Sequence, residues 1–277
     1  MQFSIITPSF RGGRWLKLCI PSVADQGVEL EHIVQDACSD DGTLDWLLKD
    51  ARVRAFVEKD EGMYDAVNRG MRRSSGEILA YINCDEQYLP GALRQVKVFF
   101  EQHPEIDVAF ADTVVVGQKG EYLCHRKAVI PGKYHTWVGG GLAIHTCSTF
   151  FRRRIIERHD MFFTTKLRDL GDCEWVMRLI ERRIRMAVLP VFTSAFTKTG
   201  ANMNMMPNAE REKVEWFSSA PTWAQKMRLA VKVRNRLKLW ATRGLRQRPF
   251  SYAIYTEDSV NERKPFQALR PTTKWPD

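Results

Sequence analysis

At 277 residues, with 44% hydrophobic and 27% charged side chains, the chain is long enough to bury a sizeable core and too apolar for wholesale disorder. No stretch approaches the roughly 18 uninterrupted apolar residues of a bilayer span, and six cysteines without a C-x-x-C pair offer no zinc or disulfide framework. The net charge of +9 resides in one segment: nine Lys and Arg and no acid lie between Pro221 and Phe250, and with those nine set aside basic and acidic residues are equal in number.

In chain order, residues 3–7 form a β-branched apolar run that begins almost at once. It lacks the charged and long apolar regions of a leader, so a cytoplasmic location is expected, with the inner face of the cell membrane as a second possibility. A Gly-containing loop and the helical spacing of Trp15, Leu18, Cys19 and Val23 follow. Residues 32–36 read as a second strand ending in Asp36, and Ser39-Asp40-Asp41-Gly42-Thr43 supplies turn and cap residues for a short helix. A third strand ends at Glu58, and a helix over residues 64–74 closes with Arg72 and Arg73, favourable to its dipole. Residues 77–82 are almost wholly apolar, the pattern of a strand covered on both faces, and run directly into Asn83-Cys84-Asp85-Glu86. A helix to Phe100, a strand from Val108, a loosened Gly-rich stretch to Gly141, a helix over 173–183 and a strand over 184–192 complete this part. Alternating strands and helices predict an α/β fold: a mainly parallel central sheet flanked by helices, with its ligand beyond the carboxyl ends of the strands. The domains expected are 1–207 for this unit, 208–248 for a basic amphipathic helical segment, and 249–277, rich in proline, for an extended tail.

Four ordered blocks carry a family resemblance: Ile5-Ile6-Thr7-Pro8-Ser9-Phe10; residues 32–36 through Thr43; Glu58-Lys59-Asp60-Glu61-Gly62-Met63-Tyr64-Asp65-Ala66-Val67-Asn68-Arg69-Gly70; and residues 76–86 with Leu89-Pro90-Gly91-Ala92. Together they resemble the family 2 glycosyltransferases of GT-A (Rossmann-like) fold over roughly residues 3–200. The resemblance implies metal-dependent, inverting transfer of a sugar from a UDP-, dTDP- or GDP-sugar to a glycan or lipid-linked hydroxyl acceptor, in cell-surface polysaccharide or glycolipid assembly. The family's D-x-D motif falls on Asn83-Cys84-Asp85, which makes Asp85 the ligand for Mg2+ or Mn2+ and Glu86 a second acid near it. Asn83 departs from the commoner first Asp and adds no charge. Asp36 matches the nucleobase-binding acid, Thr7 and Pro8 would wall the base, and Glu58 and Asp60 match acids lining the nucleoside pocket. Asp65 and Asn68 share one side of the following helix, where donor contact and local capping are equally open readings. Asp172 falls on the general-base position, with Asp169 as the alternative; His145 sits one residue early relative to the family's pattern. The competing reading is a catalytically silent nucleotide-sugar-binding or scaffold protein, favoured by Asn83.

The basic segment interleaves Trp223, Met227, Val231, Leu237, Trp240 and Leu245 with its cations. Such a helix suits either an anionic membrane surface, through residues 221–248, or packing on the catalytic unit with a solvated basic face. No nucleic-acid module accompanies the charge, so no nucleic-acid partner is expected.

Overall fold

The computed structural model describes residues 1–200, 207–243 and 246–276; Leu245 lies outside them. The first half alternates as its sequence does: β1 (Phe3–Ser9), α1 (Gly13–Ala24), β2 (Leu30–Asp36), α2 (Thr43–Leu47), β3 (Arg54–Val57), α3 (Met63–Arg73) and β4 (Ile78–Tyr81). Strand β1 pairs in parallel with β2 on one side and β4 on the other, and β2 pairs in parallel with β3. Every residue of β1 and β4 is buried, which is why their sequences show continuous apolar runs instead of alternation.

Beyond β4 the sheet departs from the expected mainly parallel pattern. Strand β5 (Glu86–Tyr88) and helix α4 (Ala92–Gln102) lead into β6 (Val108–Val116) and β7 (Tyr122–Arg126). Helix α5 (Lys133–Val138), β8 (Thr149–Arg152), α6 (Arg154–His159), α7 (Gly171–Glu181) and β9 (Met186–Thr197) follow. The strand order is β3-β2-β1-β4-β8-β6-β9-β5, with β7 on β6. Only β6 and β9 pair in parallel in this half; β8 runs antiparallel to both β4 and β6, β7 to β6 and β5 to β9. The sheet is therefore mixed. Strands β5 and β8 are too short, at 3 and 4 residues, to show a period against their neighbours, and β5 opens on the last residue of the acidic cluster, Glu86.

The strands interleave two cores. Ile6, Leu79, Phe110 and Phe151 face α3 and α7, meeting Val67, Met71, Trp175 and Leu179. Phe3, Ile5, Ile78, Ala80 and Phe150 face α1 and α4, meeting Cys19, Val23, Val96 and Phe100. Burying a side chain of this size is worth about 1.5–3 kcal/mol each.

The last part comprises α8 (Pro207–Ser218), α9 (Thr222–Lys226), α10 (Arg228–Arg243), β10 (Phe250–Thr256) and β11 (Ser259–Ala268). In place of the expected extended tail, β10 and β11 form an antiparallel hairpin. Its alternation Phe250, Tyr252, Ile254 sets one apolar face on Leu89, Val114, Val116 and Ala195, and Gln87 exchanges two hydrogen bonds with the backbone of Tyr255, at 2.9 and 2.8 Å. The prolines do not prevent this: Pro265 sits in a two-stranded ribbon, where a missing N–H is tolerated on the open side.

Close packing of α3 on β1 depends on Gly70. A methyl group there would lie 2.5 Å from Ile6 Cγ2. Gly70→Ala is expected to destabilise the protein by about 1–3 kcal/mol through overpacking, read as a lower midpoint in thermal or urea denaturation; an unchanged midpoint would show that the contact relaxes freely.

Candidate active site

The loops leaving β1, β2 and β4 converge at one edge of the sheet. Gly12 approaches Cys84 so closely that an added Cβ would stand 2.6 Å from its Sγ, and the backbone N–H of Arg11 donates to Ser39 Oγ at 2.8 Å. At their junction lies Asp36, with no exposed surface. Its carboxylate accepts Ser9 Oγ at 2.8 Å, Ser39 N–H at 2.7 Å and Ser39 Oγ at 2.8 Å. Three of about four lone-pair sites are thus occupied. Asp36 ties the two loops together, and the turn it closes holds Cys38 at φ 62, the left-handed region where glycine is the unstrained choice. Asp41 accepts Thr43 N–H at 3.2 Å, an anchor for the start of α2.

Other residues of the predicted nucleoside pocket are similarly committed. Thr7 is fully buried and its hydroxyl bonds His32 Nε2 at 2.9 Å; Pro8 is buried beside it. Neither presents an open wall. Glu58 pairs with Arg69 at 3.0 Å and with Arg73, and Asp65 pairs with Arg69 at 2.7 Å while accepting Glu61 N–H. Asn68 both donates to the carbonyl and accepts from the N–H of Phe163, each at 2.8 Å. Its amide is a staple between α3 and the 161–164 segment, 95 residues along the chain, in place of the local cap considered from the sequence. Asp60 accepts Gly62 N–H at 2.9 Å. Burial, and then the charges of Asp65 and Asp36, raise its pKa, so these three acids share one neighbourhood.

The turn after β4 is closed from inside. Glu86 N–H donates to the Asn83 carbonyl at 3.1 Å, and Asn83 N–H donates to Glu86 Oε2 at 2.8 Å. This leaves Glu86 1% exposed, beneath a half-buried Asp85. Desolvation raises the pKa of both, and the Asp85 charge raises Glu86 further. Neither has an ion-pair partner among the described residues. Two hard carboxylates with no cation beside them fit a divalent ion, and Asp85 is the accessible donor. Among the described residues no cluster of three or more His, Cys, Asp or Glu forms, so such an ion would complete its shell with diphosphate oxygens and water.

Asp172 opens α7 on the other side of Tyr81. Burial raises its pKa to about 6, against the stabilising hydrogen bond from Cys173 N–H at 2.7 Å. Tyr81 is itself raised by burial and then by the charges of Asp172 and Glu86. A cavity of about 10 Å³ beside Asp172, bordered by Tyr81, Thr146 and Trp175, is about one water in size. His145 is half-buried, its ring 5.1 Å from Phe196 and 6.3 Å from Trp275, and desolvation lowers its pKa to about 4.

Two positioning residues escaped the sequence reading. Tyr64 Oη accepts Asp172 N–H at 3.1 Å. Glu212 on α8, 4% exposed, accepts three consecutive backbone N–H groups, from Arg168, Asp169 and Leu170, at 2.8, 2.9 and 3.0 Å. Burial alone would raise Glu212, but these donors hold it below the usual carboxylate range. The only sequence signal was an acid inside a helical segment, which normally faces solvent.

A mixed sheet with converging loops after β1, β2 and β4 and an acidic turn after β4 fits the GT-A class. Solved structures agree on that fold: Staphylococcus aureus TarS 1–349 in complex with UDP-GlcNAc (TM-score 0.62, 17% identity, covering 87% of this chain and 73% of that one), and the mannosyltransferase PcManGT from Pyrobaculum calidifontis in complex with GDP-Man and Mn2+ (TM-score 0.55, 15% identity, 85% and 75%). Residues 4–162 match the sequence pattern of Glycosyl transferase family 2, and the chain belongs to that family. A PGL/p-HBAD biosynthesis glycosyltransferase from Mycobacterium tuberculosis is 31% identical over 121 residues, 41% of this chain and 47% of that protein. The putative teichuronic acid biosynthesis glycosyltransferase TuaG from Bacillus subtilis is 30% identical over 106 residues, 36% and 42%. The matched region spans less than half the length of these curated relatives.

The raised pKa of Asp172 has a signed consequence for stability. An acid held above its ordinary value of 3.8, at about 6, costs the folded state free energy once it must ionise. That cost is absent below the ordinary value, grows between the two, and is fully present above the higher one. Asp172→Asn should therefore raise the thermal midpoint at neutral and higher pH and leave it unchanged in acid; a lowered midpoint at neutral pH would show that the charge is stabilised, not strained.

Proposed function

We propose that this chain is a metal-dependent, inverting glycosyltransferase that moves a sugar from a nucleoside-diphosphate sugar to a hydroxyl of a glycan or lipid-linked acceptor. The observation that carries the reading is Asp172: a half-buried carboxylate at the N-terminus of α7, raised towards neutrality by desolvation, held by Tyr64 and the Glu212 brace, and within electrostatic reach of the same tyrosine as the acidic turn. The family match supports transfer, and the names of the relatives support glycan or glycolipid assembly.

In this reading Asp172 accepts the proton of the acceptor hydroxyl while that oxygen attacks the anomeric carbon. The carbon–oxygen bond to the diphosphate breaks on the opposite face, and the diphosphate leaves with the electron pair. Attack and departure on opposite faces invert the anomeric centre. A Mg2+ or Mn2+ ion, when bound, supplies positive charge to the leaving diphosphate. Asp85 holds that charge in place; Glu86, closed against Asn83 N–H, fixes the turn on which Asp85 stands. Asp36 and Asp60 shape the nucleobase end, Asp36 through the two serines it orders. The carboxylate of Asp172 must be ionised to act, so transfer should fall as pH drops through about 6.

The test is donor binding and turnover with UDP-, dTDP- and GDP-sugars and Mg2+ or Mn2+. At least one donor should bind and be slowly hydrolysed. Asp172→Asn should keep donor affinity and lower turnover by about 10²–10⁴-fold, whereas Asp85→Ala should lose the metal-dependent part of donor binding. Turnover unaffected by Asp172→Asn would sink the base assignment. Donor binding without turnover against any acceptor would favour the silent binder that Asn83 suggests.

A further inference from the structure

Helix α10 has no buried residue. Its inward side rests on the body through Val231, which joins the cluster of Val138, Ala220 and Ala224, through Lys238 Nζ donating to the Ile130 carbonyl at 2.8 Å, and through the Arg243–Asp112 pair at 2.6 Å, whose side chains are 12% and 4% exposed. Those contacts fix the rotation of the helix. The side turned away from the body carries Leu229, Val233, Leu237 and Trp240, which are 75%, 49%, 57% and 61% exposed. At about 100° per residue these four fall within roughly a quarter of the circumference. Arg236 and Lys232 flank the stripe on one edge and Arg234 on the other. Trp223 and Met227, also exposed, extend it towards α9.

A helix packed for stability alone would turn this stripe inward and its cations outward. Here the apolar residues face out between rows of cations, and the segment from Pro221 to Phe250 holds nine Lys and Arg and no acid. We infer that α10 is a docking helix for an anionic lipid surface, with Leu229, Val233, Leu237 and Trp240 entering the headgroup boundary and Lys232, Arg234 and Arg236 meeting lipid phosphates. A second copy of the chain is a poor occupant, because two such faces would oppose like charges. Nucleic acid would engage the cations and leave the apolar stripe without a role.

The placement also orients the site. A groove of about 480 Å³ runs from Arg228, the first residue of α10, past Trp216, Phe217 and Trp137 to Leu170 and Cys173, which bracket Gly171 and Asp172. A bilayer held against α10 brings a lipid-anchored acceptor to the mouth of that groove. Vesicle binding is measured without donor, so its failure and the failure of the transfer reading are separable.

The experiment is co-sedimentation of the full chain with vesicles of phosphatidylcholine alone and of phosphatidylcholine with phosphatidylglycerol, at low and high salt. Binding is expected only with phosphatidylglycerol and should weaken with salt. Leu237→Glu with Trp240→Glu, and separately Arg234→Glu with Arg236→Glu, should each weaken it about tenfold or more while the circular dichroism spectrum and thermal midpoint stay unchanged. The inference is overturned by equal binding to both vesicles, by binding that either double variant leaves intact, by a wild-type dimer that the Leu237/Trp240 variant dissolves, or by retention on single-stranded RNA that exceeds retention on the anionic vesicles.

Discussion

A carboxylate partly withdrawn from water at the start of α7 is the constraint on which the other parts of the site depend. Partial desolvation of Asp172 raises its proton affinity, and such a group is best kept in place by a rigid backbone around it. Three residues on two helices distant in sequence supply that rigidity. Tyr64 from α3 accepts the Asp172 N–H, Asn68 from the same helix staples Phe163, and Glu212 from α8 takes three N–H groups of residues 168–170. The helix dipole of α7 adds a favourable field for the ionised form. The site is thus built by strain in one acid and full satisfaction of the acid next to it.

The same division of labour recurs at the sheet edge. Glu86 and Asp36 are buried, with Glu86 Oε2 and both Asp36 oxygens taken by turn and loop donors; Asp85 is half-buried and has no ion-pair partner among the described residues. Burying one acid to aim another is costly in isolation, and these N–H and hydroxyl donors offset part of that cost. Desolvation raises the pKa of both Asp85 and Glu86, and the charge of Asp85 raises Glu86 further, so burial disfavours full ionisation of the pair.

The last third of the chain is part of this machinery. The hairpin β10–β11 backs the turn through Gln87, α8 delivers Glu212, and α10 is latched by Arg243 onto Asp112, a residue of the central strand β6. A brace, a backing and an outward-facing helix therefore hang on the same sheet that carries the acids.

Much of this was legible in the residues. Continuous apolar runs marked β1 and β4 because both faces are covered; helical spacing marked α1, α3 and α7; and the four ordered blocks led to the family that residues 4–162 match. The nine clustered cations marked a basic helical segment, much of which is α10. What the chain could not reveal by itself was direction and partnership. Strands of three and four residues show no period, so β5 and β8 and the mixed sheet they create came only with the fold. Glu58, Asp65 and Asn68 carry the right chemistry for a ligand pocket, and the fold pairs them with Arg69, Arg73 and the Phe163 backbone. Glu212 looks like any surface acid until α8 turns it inward. Sequence by itself determined which residue types are available and how often they recur; tertiary structure decided which of them face one another, because hydrogen bonds and burial depend on distances across the fold that spacing along the chain does not encode.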